Sequence, residues 1–182
     1  NGTHIMFVDA QSACFSTISG TLYKKVEDDV LAGATTISFQ DGYFVASLPG
    51  NLAKFQITGL YSTESDGLDY AIAEGSPDKL MSHITSNRNL WLFGEDSAEV
   101  WYNSGNPDFP FARIDNAFIE VGCAAAFSPA KLSNTVVWLG KDSKGSGMVW
   151  QAFGFQPRRI STHAIEQELS GYSTLSDAVG WA

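Results

Sequence analysis

Three histidines are the side chains of this sequence best suited to acid–base chemistry or metal binding. His4, His83 and His163 are separated by 79 and 80 residues, and none has a second histidine or a cysteine two to four residues away, the spacing typical of metal sites. His163 follows Ser161 and Thr162, but the chain has no G-x-S-x-G motif that would indicate a hydrolase nucleophile. The sequence therefore favours a surface or helix-capping role for His163 and predicts no metal site.

The loop at residues 140–147, GKDSKGSG, resembles the beginning of a phosphate-binding loop. That motif requires Lys followed by Ser or Thr, whereas Ser146 and Gly147 occupy these two positions. The loop also joins two predicted strands, not a strand and a helix. We interpret it as a solvent-exposed hairpin turn, and no pattern in the chain predicts a cofactor.

Two groups of closely spaced carboxylates could bind a cation or act in pairs as the acids of a glycosidase, if the fold brought them together. Neither group has the alternating oxygen ligands, central glycine and terminal glutamate of a calcium loop. Structural or solubility roles are favoured for both, and a solvent-exposed loop for the acidic run at residues 27–29. The two groups are Glu64, Asp66 and Asp69, and Glu95, Asp96 and Glu99.

The adjacent arginines Arg158 and Arg159 follow Pro157 on a predicted strand. Because side chains alternate along a strand, the two guanidinium groups are expected on opposite faces. An intramolecular salt bridge is the favoured interpretation, in which one arginine pairs with an acidic neighbour. The other would then be available to a partner, so both are candidate partner contacts.

The charge of the chain is acidic and unevenly distributed. The 182 residues carry a formal net charge of −9, with 6 basic and 16 acidic residues in positions 1–130 and 5 basic and 4 acidic residues beyond. An acidic surface repels phosphate backbones, which disfavours nonspecific nucleic-acid binding. No motif predicts direct sequence-specific binding either.

The composition is that of a globular protein with a sizeable core, at 44% hydrophobic and 13% aromatic residues. Cys14 and Cys123 are too few and too far apart for a disulfide framework or a zinc site, and both are expected to be buried as small hydrophobic residues. Apolar runs are only a few residues long, so neither a membrane span nor a signal peptide is predicted.

A repeat of about 46 residues organises the chain around residues 134–163. There, two strand-like runs flank the glycine-rich loop at 140–147, and a third extended run follows at 157–162. The same layout occurs at 89–102, and a weaker copy occurs at 42–57. Short strands repeated at this period are typical of propeller blades, so residues 134–163 are predicted to form the inner hairpin and third strand of one blade.

The predicted architecture is all-β and propeller-like, with about three and a half blades of four short antiparallel strands and short helical turns between blades. In the second blade, Asp41 and Gly42 predict a two-residue hairpin turn. One helical turn is predicted at residues 76–79 and a short helix at 164–169, ended by Gly171. The predicted units are 1–32 (partial), 33–80, 81–125, 126–163 and 164–182 (partial), in a chain expected to be a fragment of a longer protein.

Aromatic residues recur at the period of the repeat. Phe55, Trp101 and Trp150 are separated by 46 and 49 residues and are predicted to pack between the sheets as one aromatic layer. The same short strands would also suit a sandwich of two sheets, although the repeat argues against it. The acidic groups and aromatic residues leave open a propeller that binds carbohydrate or hydrolyses glycosides, with Glu99 and Trp101 as the residues to test.

The sequence also resembles the phage stabilisation proteins of short-tailed bacteriophages, which are also called packaged-DNA stabilisation or tail-hub proteins. The resemblance extends over most of residues 41–181 and depends on the order and spacing of several segments more than on any one of them. These are DGYFV at 41–45, AEGSPD at 73–78, NLWLFG at 89–94, EVWYN at 99–103, FIEVGC at 118–123, VWLG at 137–140, GSGMVW at 145–150 and RISTHAIE at 159–166.

The resemblance implies a noncatalytic structural protein of the virion tail, assembled in the bacterial host cytoplasm. A protein of this family is expected to sit below the portal ring in several copies, to close the channel after packaging and to bridge head and tail parts. The expected partners are a portal adaptor, a needle-like plug and tailspikes, together with further copies of the same chain.

Overall fold

The computed structural model describes residues 2–20, 23–25, 29–48, 53–142 and 144–182, which form an all-β fold. No helix in these ranges is long and apolar enough to cross a membrane. The elements in chain order are β1 His4–Val8, β2 Ala13–Thr17, β3 Tyr23–Lys25, a 3-10 turn Asp29–Leu31, β4 Thr36–Gln40, β5 Tyr43–Ser47, β6 Lys54–Ile57, β7 Tyr70–Ile72, β8 Leu80–Ser86, β9 Asn89–Gly94, β10 Ala98–Asn103, β11 Phe111–Ile119, β12 Ala130–Leu132, β13 Thr135–Lys141, β14 Gly147–Phe153, β15 Gln156–Arg159 and α1 His163–Leu169.

The strands form four antiparallel sheets in which sequence neighbours are spatial neighbours. We call them blade 1 (β1 to β3), blade 2 (β4 to β7), blade 3 (β8 to β11) and blade 4 (β12 to β15). The first strands of blades 1, 2 and 3 lie side by side, which places them on the inside, and the fourth strands form the outer rim. This arrangement confirms the propeller-like prediction.

Tight turns set the register of the hairpins. Asp41 and Gly42 have φ angles of 49° and 97°, and Asn87 and Arg88 have φ angles of 51° and 61°. Positive φ at both central residues is the geometry of the two-residue turn that matches the twist of the flanking strands. The predicted turn between β4 and β5 is therefore confirmed, and an equivalent turn joins β8 to β9.

The blades pack through three separate hydrophobic clusters, one between each successive pair. Large members of these clusters are Phe44 between blades 1 and 2, Phe55 between blades 2 and 3, and Trp138 between blades 3 and 4. Burying aromatic side chains of this size supplies much of the driving force for folding. The apolar residues of the repeat thus hold one blade against the next.

Polar contacts between the inner parts of the blades repeat with the period of the sequence. Thr36 Oγ1 lies 2.8 Å from His83 Nδ1, and Gln40 donates a 2.6 Å bond to the carbonyl of Arg88. One blade further on, Asn87 donates a 2.8 Å bond to the carbonyl of Asn134. Each of these contacts joins residues 47 or 48 positions apart, so the repeat seen in the sequence is a repeat of interblade contacts.

The predicted aromatic layer is wrong in one respect. The rings of Phe55 and Trp101 meet edge to face with centroids 5.2 Å apart, but they do so from opposite sides of the interface between blades 2 and 3. Trp150 packs instead with Trp138 in the cluster between blades 3 and 4. Phe55 points toward the following blade and Trp101 toward the preceding one, because the two positions differ in strand parity.

Two local predictions are also corrected. No helical turn forms at residues 76–79: the bend covers residues 75–77, and the Asp78 carboxylate accepts 2.9 Å bonds from the amides of Asp96 and Ser97, which holds the segment against the loop of blade 3. Residues 134–163 supply the second, third and fourth strands of blade 4, since β12 precedes them on the inside. The stretch is therefore the outer part of its blade.

The end of the chain follows the prediction. Helix α1, residues His163–Leu169, packs against β14, and Gly171 donates to the carbonyl of Glu168 just beyond it. Val179 then forms an isolated parallel bridge with Phe127, beside the start of blade 4. The residue types also predict a strand at 21–26 and a turn at 49–51. Parts of both, and of the acidic run at 27–29, lie outside the described residues.

Candidate functional site

An open cleft of about 850 Å³ lies between the rims of blades 2 and 3. One wall is the outer strand β7 with the residues that flank it, and the other is formed by β10 and β11. The residues that line it are Leu68, Tyr70, Ala71, Ile72, Glu74, Trp101 and Arg113. It therefore combines the edge of an uncharged outer strand, the Trp101 ring and two opposite charges.

A buried carboxylate holds the second wall of this cleft in place. Glu99 is only 2% exposed, and its Oε2 accepts a 2.8 Å bond from the Trp101 indole nitrogen. Its Oε1 accepts a 2.5 Å bond from the amide of Gly75 and lies 3.6 Å from Arg113 Nη1. Burying a charge is costly unless it is paired and hydrogen-bonded, and this one is both. Glu99 thus fixes the orientation of Trp101 and Arg113.

Gly75 is required at this contact. A Cβ atom there would clash with Glu99 Oε1 and would stand 2.8 Å from the Phe118 ring. A larger residue here would force the Glu99 carboxylate or the Phe118 ring to shift, so glycine allows the segment between β7 and β8 to approach the carboxylate this closely. Because Gly75 follows blade 2 and Glu99 belongs to blade 3, the bond also joins the two blades.

The first wall of the cleft presents Tyr70 and Ile72 on an outer strand. Lys54 Nζ lies 4.0 Å from the centroid of the Tyr70 ring, a cation–π contact across β6 and β7. Leu68, at the start of this wall, is 82% exposed. An aromatic and aliphatic strip of this kind is suited to contact with another molecule.

Glu99→Gln tests the supporting role of the buried carboxylate. The Gln side chain has one oxygen that accepts and one NH2 group that donates. Its NH2 group must therefore face one of the two N–H donors, that of Trp101 or that of Gly75, where no hydrogen bond can form. We expect a loss of about 1.5–3 kcal/mol in the free energy of unfolding, measured by urea titration, since a bond to a charged group is removed and a donor is left unpaired. Glu120→Gln, on an exposed residue, is the matched control and is expected to change stability by less than about 0.5 kcal/mol. Equal effects of the two substitutions would contradict the role given to Glu99.

The two acidic groups do not converge on a site. Asp66 Oδ1 accepts the Leu68 amide at 3.0 Å within a turn, and the backbone carbonyl of Asp69 accepts a bond from Gln56. Glu95 is part of the loop tied to the carbonyl of Lys79. Within the described ranges, no three His, Cys, Asp or Glu side chains are grouped so as to hold a metal ion.

His83 is the histidine with the most unusual environment. It is 6% exposed and lies between blades 2 and 3, where Thr36 Oγ1 contacts its Nδ1 and in turn lies 2.5 Å from Ser47 Oγ. Its Nε2 has no hydrogen-bond partner of ordinary geometry, and the ring has only a weak hydrogen-bond contact with the Val45 backbone. Burial lowers the pKa of His83 from 6.5 to about 4, and the Val45 backbone opposes this change. The ring is therefore neutral at physiological pH.

The arginine pair is divided as alternation on a strand implies. Arg159 forms a two-pronged ion pair with Glu166 of α1, in which Nε donates to Oε1 at 2.5 Å and Nη2 donates to Oε2. Ser161 Oγ donates a further 2.6 Å bond to the same carboxylate. Arg158 is exposed, and its Cα is opposite that of Gln151 in the ladder. An intramolecular bridge thus occupies Arg159, and Arg158 stays a candidate partner contact.

The pKa of the Glu166 carboxyl group is set mainly by its hydrogen bonds. The Ser161 hydroxyl and then Arg159 lower its pKa below the ordinary value of 4.5, against the opposing effect of burial. A carboxyl group with a lowered pKa in the folded state stabilises that state above about pH 4.5, and this contribution is lost as pH falls through the lowered pKa.

Arg159→Ala is expected to loosen α1 from blade 4. Without the guanidinium, the amides of residues 166–170 should exchange with solvent several-fold faster at pH 7, because the helix loses its anchor to β15. Hydrogen exchange followed by mass spectrometry measures this. Arg158→Ala is the control, and an equal acceleration in both variants would contradict the anchoring role.

The remaining motifs have structural explanations. The Asp142 carboxylate accepts the amides of Lys144 and Ser146 at 2.9 and 2.8 Å, which closes the loop between β13 and β14 as the predicted hairpin turn. Cys123 is buried, its thiol donates to the carbonyl of Ala125, and burial raises its pKa. Cys14 is only half-buried, which corrects the prediction for that residue.

The sequence singled out Glu99 and Trp101 but gave no signal for the rest of the cleft. Tyr70 and Ile72 come from blade 2, and Arg113 is at a position opposite Trp101 in the β10–β11 ladder. Only the packing of two blades brings these residues together. A search for exposed aromatic residues flanking a turn could have found Tyr70.

Comparison with known proteins gives one family match that covers nearly the whole chain. A family model described as "Bacteriophage P22 Gp10, beta-propeller" matches residues 2–180. No curated protein matches this chain. Among solved structures, a similar one is PorZ, a surface component of the type-IX secretion system of Porphyromonas gingivalis, with 10% identity and a TM-score of 0.49 over 81% of this chain and 19% of that one.

Proposed function

This chain belongs to the phage stabilisation family of β-propeller proteins, and we propose on that basis that it is a noncatalytic tail accessory factor. A family of this kind gives it a phage structural role. In the proposed function, it acts as a tail hub that closes the portal channel, retains packaged DNA and bridges head and tail parts. The observation that carries this proposal is the match of the family over residues 2–180 together with the propeller fold.

The net negative charge of the chain supports a role in closing the channel more than a role in binding DNA. With a net charge of −9, most of it in blades 1 to 3, the surface repels phosphate groups. A channel plug benefits from such repulsion because packaged DNA does not adhere to it. A protein that clamped DNA would need a basic face.

The proposed partners are the portal adaptor, a needle-like plug, the tailspikes and further copies of the same chain. The proposed location is the virion tail, with assembly in the bacterial host cytoplasm. Arg158 is a proposed partner contact, because it is exposed on the rim of blade 4 while its neighbour Arg159 is held by Glu166.

The alternative, a propeller that binds carbohydrate or hydrolyses glycosides, receives less support from the geometry. Trp101 and Tyr70 do lie in one cleft, as sugar-binding aromatic residues often do. However, both oxygens of Glu99 are bonded inside the protein, so this carboxylate is placed to support the cleft wall. A glycan array with the Trp101→Ala variant as control tests the alternative, and binding that disappeared in this variant would favour it.

Retention of DNA in purified particles tests the proposed function. Particles assembled without this protein are expected to lose their genomes, measured as nuclease-sensitive DNA, and to lack complete tails in electron micrographs. Supplying the wild-type gene in trans should restore both. Particles that keep their DNA and attach complete tails without this protein would contradict the proposal.

A further inference from the structure

The outer strand of blade 2 has a free edge that faces the cleft. Among the described residues, β7 pairs only with β6. The amide of Ile57 donates to the carbonyl of Asp69, and the amide of Ala73 donates to the carbonyl of Ala53. Hydrogen-bonded pairs alternate along an antiparallel ladder, so the Phe55–Ala71 pair between these two is also hydrogen-bonded within the ladder. The main-chain groups of Tyr70 and Ile72 then point away from β6. The Tyr70 amide already donates a 2.9 Å bond to the carbonyl of Leu68, so the edge offers the Tyr70 carbonyl and the amide and carbonyl of Ile72.

The other two outer strands carry proline, charge or a bulge at their edges, whereas only its length of three residues discourages strand pairing at β7. In β15, Pro157 lacks an amide hydrogen and Arg158 and Arg159 bring charge to the edge. In β11, Arg113 and Asp115 are charged, and the ladder with β10 is irregular near Asn116, which has a φ of 61°. Proline, charge and bulges are the usual means by which natural proteins block edge strands.

By contrast, β7 has the sequence Tyr-Ala-Ile, with no charged residue and no proline. An edge strand without charge, proline or a bulge can pair with another strand, and the short length of β7 limits this pairing to a few main-chain bonds. Leu68, which is 82% exposed just before β7, extends the apolar strip. The contrast between three outer strands of one fold indicates that this edge is kept open.

The opposite wall of the cleft offers two fixed groups to whatever lies along β7. The indole of Trp101 is held by Glu99 Oε2, so it presents its surface without a further loss of rotamer freedom. The Arg113 side chain is 47% exposed and is in contact with Glu99 through one nitrogen, Nη1. Its remaining N–H groups can donate to a second carboxylate from outside.

We propose that an extended segment of another virion protein adds to blade 2 as a fifth strand, paired with β7 in this cleft. Its backbone bonds to the Tyr70 carbonyl and to the amide and carbonyl of Ile72, as in other cases of strand addition. It places an apolar side chain on Trp101 and an Asp or Glu side chain on Arg113. The identity of the partner as a virion protein follows from the proposed function, while the strand addition follows from the cleft alone.

A peptide selection tests this inference without knowledge of the partner. The probe is a yeast-displayed random library of 12-residue peptides, selected for binding to the whole chain. We expect the enriched peptides to alternate apolar and polar residues and to contain Asp or Glu. On binding, they should slow hydrogen exchange at the Ile72 amide. Methylation of alternate backbone nitrogens in a synthetic copy should weaken binding by at least tenfold, because it removes main-chain donors.

Two variants of the protein complete the test. Ile72→Pro removes the outward-facing amide hydrogen at a position where an edge strand tolerates proline, and it should weaken binding at least tenfold. Arg113→Gln should weaken it several-fold, and Lys141→Gln, on an exposed residue of blade 4, is the matched control that should not. The methylated peptide leaves the protein untouched, so the test does not depend on the folding of any variant.

Three results would overturn the inference: no enriched peptide, enriched peptides that protect a region other than β7, or binding that survives backbone methylation. Preferential binding of oligosaccharides at Trp101, unaffected by Ile72→Pro, would also overturn it. These outcomes are separate from the proposed function, which is judged by DNA retention. If particles keep their DNA without this protein while peptides still add to β7, the proposed function fails and the strand addition stands. If particles lose their DNA but no peptide adds to β7, the strand addition fails and the proposed function stands.

Discussion

Replacing Trp138 by alanine is expected to lower the free energy of unfolding by about 3–5 kcal/mol, because it leaves a large cavity between blades 3 and 4. The side chain is 1% exposed, and its ring centroid lies 5.2 Å from that of Phe93. Its indole nitrogen also donates a 3.2 Å bond to the carbonyl of Gly122, which would be left without this partner. Domains of this size are stable by only about 5–15 kcal/mol, so the variant would be close to unfolding.

Trp181→Ala is the matched control for this prediction. Trp181 is 90% exposed, so the same substitution there should change stability by less than about 0.5 kcal/mol. Urea titrations followed by circular dichroism measure both variants. A loss below about 1 kcal/mol for Trp138→Ala would mean that the interface between blades 3 and 4 is not packed as described.

Acidification from pH 6.5 to pH 4.5 is expected to destabilise the protein through His83. The folded state holds this ring neutral with a pKa of about 4, whereas the unfolded chain takes up a proton near pH 6.5. The unfolded state therefore binds more protons in this window, so stability is complete above about pH 6.5 and falls as pH decreases toward 4. The full difference is worth about 3 kcal/mol, of which about 2 kcal/mol or more should be lost by pH 4.5.

The free energy of unfolding at four pH values between 4.5 and 7.5 measures this effect. His83→Gln removes the titrating group and should flatten the pH dependence, whatever its own cost in stability. His163→Gln, on an exposed residue, should leave the slope unchanged. The carboxyl groups of Asp9 and Glu166 have lowered pKa values, so their contributions to stability are lost mainly below pH 4.5. An unchanged slope in His83→Gln would contradict the buried, neutral state of this ring.

The sequence predicted the architecture well because the repeat reflects packing between blades. Side chains at equivalent positions of successive blades, such as Thr36 and His83, contact each other across an interface. Their spacing of 47 residues is close to the period of the sequence repeat, so the repeat could be recognised from the sequence alone. The turn at Asp41 and Gly42 was predicted for a similar reason, because only a few residue types adopt its positive φ angles. Local chemistry and periodicity together identify the propeller.

Other features depended on three-dimensional contacts that the sequence does not encode locally. The strand parity of Phe55 could not be read from a spacing of 46 residues, since a shift by one residue moves a side chain to the opposite face of a sheet. The residues 76–79 have the pattern of a helix start, but the loop amides at Asp96 and Ser97, almost 20 residues away, bind the Asp78 carboxylate instead. Tertiary contacts outweighed the local preference.

The residues of the candidate site could likewise be predicted only in part from the sequence. Glu99 and Trp101 were singled out as possible sugar-binding residues, yet their environment is set by Gly75 of the preceding linker and by Arg113 of the next strand. The open edge of β7 also has no motif of its own. It is recognised only by comparison with β11 and β15, whose edges are blocked.

The most direct test of the proposed function is a reconstruction of the intact virion by cryo-electron microscopy. We expect density below the portal ring that fits the four packed blades, in several copies, where it closes the channel above the distal tail parts. Density for this protein on the outer capsid, inside the head, or in a tail position that leaves the channel open would contradict it.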